Sequence, residues 1–127
     1  MEEHFAELFG PIRQVAYIVE DVDASMRAWR AQLGVAPFVV VRHCNPFGDL
    51  TYRGTRCEHI DMSIALSMIG NIQLELIQQH CDTPSIYREA RERQITSIHH
   101  YAFYTADLRT LYRHALAEGM EPVVTRG

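Results

Sequence analysis

The feature that most constrains the fold is an internal repeat. A strand, a helix and the start of a second strand occur twice, in the same order and at nearly the same spacing. Each copy places an aspartate before its helix, a glycine after it and a proline before the next strand, as helix starts, helix ends and strand entries favour. The first two equivalent pairs are 86 positions apart and the last two 85, so a duplicated unit is predicted. The pairs are Gln14 and His100, Asp21 and Asp107, Gly34 and Gly119, and Pro37 and Pro122.

Both copies space their apolar residues as a strand and an amphipathic helix require. In the first copy, a strand over 14–19 precedes a helix on which Met26, Trp29 and Leu33 form one apolar stripe. The second copy predicts a strand over 100–105, followed by a helix with a stripe of five residues. That stripe consists of Leu108, Leu111, Tyr112, Ala115 and Leu116. We therefore predict an α+β fold.

The segment between the copies completes the first unit. Residues 59–79 predict two strands joined by a turn at Gly70 and Asn71, which gives a β-α-β-β-β unit over about residues 11–80. A linking helix over about 83–95, starting at Thr83 and Pro84, then leads to a partial second unit over about 97–127. We treat 1–127 as one domain. A complete second unit needs roughly 40 more residues. Either the last strands are missing from this chain, which is the interpretation we favour, or another chain fills the gap.

Charge, cysteines and hydropathy exclude several classes of protein. The net charge is −4 and no basic face stands out, so nucleic acid is not an expected partner. The three cysteines contain no CxxC pair and do not predict a disulfide scaffold. The acidic N-terminus does not resemble a signal peptide, and no apolar run approaches the roughly 20 residues of a membrane span. We therefore expect a cytoplasmic protein without a membrane partner.

Three stretches, in this order and spacing, resemble the vicinal oxygen chelate superfamily of glyoxalases, bleomycin-resistance proteins and extradiol dioxygenases: QVAYIVEDVDASMRAWRAQLGVAPF, NIQLELIQ and SIHHYAFYTADL. The segments LGVAPF and YRG are most similar to the glyoxalase and methylmalonyl-CoA epimerase branch. The resemblance implies tandem βαβββ units that form half-barrels, with one divalent metal ion on their concave faces. By position, it implies Gln14, Glu75 and His100 as metal ligands, and a fourth ligand beyond Gly127.

Side-chain alternation gives a separate prediction of which residues share a face of the sheet. In each of the three strands concerned, one alternating set is apolar and is predicted to pack under the helices. The other set is mixed and is predicted to line the concave side. Gln14, Glu75 and His100 all belong to the mixed sets. His99 falls on the face opposite to His100, and we expect a structural role for it.

The residues and the resemblance together lead to a functional hypothesis. An amide oxygen, a carboxylate and an imidazole form a donor set that suits Zn²⁺, Ni²⁺, Co²⁺, Mn²⁺ or Fe²⁺. The resemblance implies a glyoxalase-like lyase or isomerase in which the metal stabilises an enediolate and Glu75 moves the proton. It implies a small-molecule substrate, either a glutathione hemithioacetal or an acyl-CoA thioester, and a homodimer.

Two other functional interpretations stay open at this point. The neutral Gln14 favours a metal-free, ligand-sequestering protein of the bleomycin-resistance type, because an amide is a weak ligand and a good hydrogen-bonding group. In that case the same cavity holds a ligand without reaction. A dioxygenase is disfavoured, because its facial triad needs two histidines and a carboxylate.

Three pairs of neighbouring His and Cys residues are alternative candidates for a zinc site. They are His43 with Cys44, Cys57 with His59, and His80 with Cys81. These candidates are weaker, because their spacings match no zinc-finger or knuckle pattern. Polar residues at strand ends could reach a substrate carboxylate or thioester, although solvated strand ends are the simpler interpretation. They are Arg42, His43, Tyr52 and Arg53.

Overall fold

The computed structural model describes residues 9–57 and 59–126. Residues 1–8, residue 58 and residue 127 belong to the predicted single domain but lie outside the described residues. The α+β fold class is confirmed, and the elements follow the order that the repeat predicts, with one added hairpin. In chain order they are β1 (Gln14–Ile18), α1 (Val22–Leu33), β2 (Val39–Cys44), β3 (Leu50–Tyr52), β4 (Thr55–Cys57), β5 (Met62–Ile69), β6 (Ile72–Gln79), α2 (Ile86–Glu92), β7 (His100–Ala102), α3 (Leu108–Ala117) and β8 (Val124–Arg126).

Five strands form the main sheet, in the order β2-β5-β6-β1-β7. β1 lies parallel to β6 and antiparallel to β7, so the first strands of the two repeat units are neighbours. β5 and β6 form the antiparallel hairpin that was predicted around Gly70 and Asn71. A second sheet has the order β4-β3-β8, which pairs the last strand of the chain with the added hairpin. Both repeat units therefore contribute strands to both sheets.

The predicted helix caps of the repeat form in both copies. Asp21 accepts a hydrogen bond from the backbone N–H of Ala24 at the start of α1, and Asp107 accepts one from Thr110 at the start of α3. Gly34 ends α1 in the left-handed conformation, with φ of 62°, where a Cβ would be strained. Local sequence signals thus fix both ends of α1 and the start of α3.

The two faces of the main sheet bury separate apolar clusters. Leu74, Leu76 and Ala65 pack on one face against α1, together with Val22. The opposite face, here called the inner face, buries a second cluster against β3, β4 and α2. The members of this second cluster with the least exposed surface are Ala16, Ile60, Met62 and Ile77. The alternation predicted from the sequence is therefore correct for β1 and β6.

One hairpin and two element boundaries described next differ from the sequence predictions. The β3–β4 hairpin was not predicted. The linking helix begins at Ile86, because Ser85 rather than Thr83 caps it by accepting a hydrogen bond from the backbone N–H of Arg88. The Thr83 hydroxyl instead donates to the carbonyl of His59, at 2.9 Å. β7 ends at Ala102, three residues earlier than predicted.

The second unit is less completely packed than the first. Leu111 of α3 is buried, whereas Leu108 is 70% exposed, and Tyr112 and Leu116 are also exposed. The stripe predicted for this helix thus forms but finds few neighbours within the described residues. Among the helices of residues 9–57 and 59–126, none combines the length and the apolar character that crossing a membrane requires.

Candidate functional site

Strand register brings Glu75 and His100 together on the inner face. Ala16 in the middle of β1 lies opposite Glu75 of β6 and also opposite His100 of β7. Residues directly opposite each other in a sheet project from the same face, so both side chains extend over the small methyl group of Ala16. Glu75 Oε1 lies 3.6 Å from His100 Nε2. A carboxylate and an imidazole nitrogen therefore face each other across β1.

The Glu75–His100 pair is partly shielded from solvent. The side chains are 16% and 33% exposed, respectively. Tyr87 of α2 belongs to the buried cluster on this face, and its pKa is raised first by burial and then by the negative charge of Glu75. The field of the Glu75 carboxylate therefore acts on groups of the inner face, where screening by water is weaker than at an open surface.

Gln14 lies one register step away from this pair. It is opposite Gln73 in β6 and Ala102 in β7, on the same inner face. Its amide nitrogen donates a hydrogen bond to Oε1 of Gln73 at 2.6 Å. The described contact of Gln14 is thus with Gln73 and not with the Glu75–His100 pair. Its own amide oxygen is the atom that could act as a ligand.

His99 does not lie where simple alternation predicts. Its ring lies beside Tyr87, with ring centroids 6.0 Å apart, and its Nδ1 is 2.8 Å from Nδ1 of His100. The expectation that it faces away from His100 is wrong, because β7 begins only at His100 and the preceding residue need not follow the pleat. Burial, followed by the neighbouring His100, lowers the pKa of His99, while a hydrogen bond to the backbone of Ile86 opposes this shift.

The rival Cys and His pairs are used in other contacts. The rings of His43 and His80 stack with centroids 4.1 Å apart, and His43 Nδ1 lies 3.1 Å from the carboxylate of Asp61. His80 Nε2 lies 2.7 Å from the hydroxyl of Ser63, a buried residue that sequence reasoning did not single out. Across residues 9–57 and 59–126, no three His, Cys, Asp or Glu side chains converge as a metal site would require. No local spacing rule predicts the contacts among His43, Asp61, Ser63 and His80, because these residues come from three separate strand ends.

The polar residues at strand ends have acidic partners. Tyr52 donates a hydrogen bond to Glu89, and the guanidinium of Arg53 also contacts this carboxylate, at 2.8 and 3.1 Å. Arg42 makes two hydrogen bonds to Asp23, at 2.7 and 3.0 Å. These contacts agree with the interpretation of the residues as solvated strand ends. They leave Glu75 and His100 as the centre of the candidate site.

A nearby cavity is separate from this chemistry. It measures about 650 Å³ and lies at the end of β1, where Trp29 of α1 and Ala90 of α2 contribute to its wall. Neither Glu75 nor His100 lines it. A cavity alone supplies no reacting group, so the facing carboxylate and imidazole are the stronger guide to function.

The donor atoms of the inner face fit a divalent ion in part. Ligand atoms about 2.1 Å from one ion stand roughly 3–3.5 Å apart, close to the 3.6 Å between Glu75 and His100. An unprotonated imidazole nitrogen and a carboxylate oxygen repel each other unless a proton or a cation lies between them. Glu75 and His100 therefore supply two suitable donors, and the Gln14 oxygen is a third on the same face.

Comparison with known proteins relates the chain to one family. Residues 13–127 match the glyoxalase/bleomycin resistance protein/dioxygenase superfamily. A variant of Streptomyces coelicolor methylmalonyl-CoA epimerase, in complex with 2-nitronate-propionyl-CoA, is similar with a TM-score of 0.65 and 19% identity. That match covers 89% of this chain and 74% of the epimerase.

Other solved structures agree. Methylmalonyl-CoA epimerase from Mycobacterium tuberculosis has a TM-score of 0.63 at 17% identity, covering 90% of this chain and 67% of that one. An epimerase in complex with methylmalonyl-CoA and NH4+ has a TM-score of 0.63 at 20% identity, covering 87% and 70%. Curated protein sequences contain no match. At these identities the likeness concerns the fold.

Proposed function

This chain belongs to the glyoxalase/bleomycin resistance protein/dioxygenase superfamily, and from that premise we propose that it is an isomerase acting on an acyl-CoA thioester. Glu75 is the proposed base, which removes a proton from the carbon next to the thioester carbonyl. The observation that carries the proposal is the 3.6 Å contact between Glu75 and His100 on the inner face. The epimerases of similar fold, whose described ligands are CoA thioesters, support the choice of substrate class.

The position of Glu75 suits proton transfer. Its side chain is 16% exposed, so the carboxylate is shielded but not sealed from a substrate. When it takes the proton, the electron pair of the broken C–H bond moves toward the thioester carbonyl, and a proton from solvent can return to the carbon. General-base catalysis of this kind contributes typically about 10²–10⁴-fold to a rate.

The same proposal assigns a divalent metal ion to the inner face. Gln14, Glu75 and His100 would hold it through one amide oxygen, one carboxylate oxygen and one imidazole nitrogen, a set that suits Zn²⁺, Ni²⁺, Co²⁺, Mn²⁺ or Fe²⁺. When bound, such an ion supplies Lewis acidity beside the carbonyl oxygen. Glu75 then has two roles, since a carboxylate has a second oxygen that can accept the proton.

Deuterium exchange at the substrate carbon tests the proposal. The chain, supplied with each of the five ions in turn, is incubated with methylmalonyl-CoA in D₂O, and mass spectrometry follows deuterium uptake at C2. We expect metal-dependent uptake that falls roughly 10²–10⁴-fold in Glu75→Gln. Glu92→Gln is the matched control, because Glu92 is exposed and pairs with Arg88 on α2. Uptake that is equal in both variants would exclude Glu75 as the base.

A parallel assay separates the two substrate classes. The glutathione hemithioacetal of methylglyoxal replaces the CoA thioester, and thioester formation is followed by absorbance. Turnover of the hemithioacetal, without exchange of the CoA substrate, would replace the proposed isomerase with a lyase. Light scattering of the purified chain tests the proposed homodimer, whose mass would be twice 14.6 kDa. A cytoplasmic location stays a prediction from the sequence.

A second candidate function is metal-free sequestration of a small ligand. The hydrogen bond from Gln14 to Gln73, at 2.6 Å, favours it, because it engages the amide in a protein contact. This function predicts that chelator-treated protein retains full ligand binding and that Glu75→Gln leaves binding intact. The isomerase predicts that chelation and Glu75→Gln both strongly reduce deuterium exchange.

A further inference from the structure

We propose that the cavity at the end of β1 is a second binding site, which takes an organic cation with an apolar body. The cavity has a volume of about 650 Å³ and is lined by residues of β1, α1 and α2. Small-molecule sites in proteins usually measure roughly 300–1,000 Å³. Neither Glu75 nor His100 lines this cavity, so the proposal does not depend on the proposed function.

The topology of the main sheet explains why a cavity forms at this place. β1 and β6 are adjacent and parallel, with Ile18 opposite Ile77 near their carboxyl ends. The helices that follow them pack on opposite faces of the sheet. Trp29 of α1 packs against the cluster on one face, and Tyr87 of α2 belongs to the cluster on the inner face. Connections that leave adjacent parallel strands toward opposite faces leave a crevice outside the strand ends, where open sheets of this kind bind ligands.

The charged side chains around the cavity favour a cation. Glu20 and Asp21 lie in its wall directly after β1, and Arg91 of α2 lies in it as well. The guanidinium of Arg91 already donates hydrogen bonds to the carbonyl of Gln79 and to the carboxylate of Asp82, at 3.1 and 2.9 Å. Because Asp82 offsets the charge of Arg91, the two carboxylates in the wall set the sign of the field that a ligand meets.

Glu20 is the carboxylate that is available to a ligand. Asp21 caps α1, since one of its oxygens accepts a hydrogen bond from the backbone N–H of Ala24 at 3.0 Å. In the part of the chain that the structure describes, no hydrogen bond or ion pair engages the side chain of Glu20, and this residue is exposed. It can therefore pair with an incoming ammonium group without first breaking an internal contact.

Two aromatic rings supply a surface for the rest of the ligand. Tyr17 of β1 and Trp29 of α1 both line the cavity, and their ring centroids are 5.3 Å apart. Ile18, Val19 and Ile95 add apolar surface to the same wall. The faces of indole and phenol rings attract organic cations as well as apolar groups. Two aromatic rings beside an available carboxylate therefore fit an ammonium group attached to an apolar body.

The fluorescence of Trp29 reports binding, because this residue is the single tryptophan of the chain and lies in the cavity wall. The chain is titrated with 3-phenylpropylamine, 3-phenylpropanol and 3-phenylpropanoate, which share one apolar body and differ in the charge of the head group. We expect a saturable change in emission with the amine and an affinity roughly 5–30-fold higher than for the alcohol, as for a cation shielded beside aromatic rings. The carboxylate should bind more weakly than the alcohol. Equal affinities for the three probes, or no saturable change with the amine, would overturn the proposal.

Replacing Glu20 tests the site of the charged head group. Glu20→Gln removes the charge and keeps the shape, so the amine should lose most of its advantage while the alcohol binds as it does to the wild type. Glu121→Gln is the matched control, because Glu121 is exposed, lies outside the wall of this cavity and carries the same charge. An unchanged preference for the amine in Glu20→Gln, or an equal loss in Glu121→Gln, would contradict the role of Glu20.

Filling the cavity tests the site of the apolar body. Ala24 lines the wall in the first turn of α1, and leucine is a good helix former, so Ala24→Leu should narrow the cavity and leave α1 intact. Circular dichroism checks that the variant is folded. We expect loss of binding of both the amine and the alcohol, in contrast to the selective effect of Glu20→Gln. Binding of either probe with wild-type affinity would place the ligand elsewhere and would overturn the proposal.

Discussion

Replacing Ala16 by valine should push the side chains of Glu75 and His100 apart, because they meet in the space above Ala16 on β1. Ala16 is fully buried, and it separates the strands that carry Glu75 and His100. Neighbouring strands lie about 4.8 Å apart, so the two backbones are roughly 9.6 Å apart and their side chains must meet above Ala16. They do meet, at 3.6 Å. Two added methyl groups would occupy part of the space between them.

The cost has two measurable parts. Adding two methyl groups to a filled core position costs about 1–3 kcal/mol of the free energy of unfolding, which for a chain of this size lowers Tm by roughly 4–12 °C. Urea unfolding followed by circular dichroism measures the first quantity. Separation of Glu75 from His100 should also weaken binding of Zn²⁺ by at least roughly tenfold, since two donors would no longer reach one ion. Calorimetry measures that change.

Ala65→Val is the matched control for Ala16→Val. Ala65 is equally buried, but it packs on the opposite face of the sheet, under α1. We expect a similar loss of stability and an unchanged affinity for Zn²⁺. The reasoning would be refuted if both valine variants kept full affinity, because the space above Ala16 would then not matter for the pair. Equal losses of affinity would refute it too, since they would indicate a general effect of destabilisation.

Three further predictions concern Gln14 of the candidate site, the pair Cys81 and Cys44, and the glycine that ends α1. Gln14→His should strengthen Zn²⁺ binding measured by calorimetry, because an imidazole is a better ligand than an amide; weaker binding would remove this position from the site. Burial acts to raise the pKa of Cys81, but hydrogen bonds with Thr83, the Asp61 backbone and other groups outweigh burial, so the pKa of this thiol is lowered. The pKa of Cys44 is raised, mainly by burial. As pH rises, alkylation followed by mass spectrometry should therefore modify Cys81 before Cys44, and the reverse order would contradict the assigned contacts. Gly34→Ala should cost about 1 kcal/mol in urea unfolding, since φ is 62° and no atom within 4 Å would meet the added Cβ; an unchanged midpoint would argue against this cap.

The repeat made much of the fold predictable because its signals are local. A cap such as Asp21 or a stop such as Gly34 depends on a few neighbouring residues, so their places are evident in the sequence. The faces of β1 and β6 were predictable for a similar reason, since side chains in a continuous strand alternate. The inner-face placement of Glu75 follows directly from that alternation.

The β3–β4 hairpin carried a signal that the sequence prediction did not use. Arg53 and Gly54 join the two strands, and both have positive φ, of 48° and 83°. A two-residue turn of this kind matches the twist of a hairpin, and glycine is favoured there. Its strands have three residues each, too short for alternation to be evident.

The contact between His99 and His100 was not predictable from alternation alone. The rule holds only within a paired strand, and β7 begins at His100. The surroundings of the His99 ring are tertiary, because α2 places the ring of Tyr87 beside it. The same limit applies to the stacked rings of His43 and His80, which come from different strand ends.

The most direct test of the central claim is a calorimetric titration of the metal-free chain with Zn²⁺, Ni²⁺, Co²⁺, Mn²⁺ and Fe²⁺. The claim is that Glu75 and His100 form the core of a metal site on the inner face. It predicts that the wild type binds one ion per chain. It also predicts that the affinity falls by a factor of roughly 100 or more in Glu75→Gln and in His100→Ala. His59→Ala, at an exposed histidine, should bind like the wild type. No binding by the wild type, or equal binding by all four proteins, would contradict the claim.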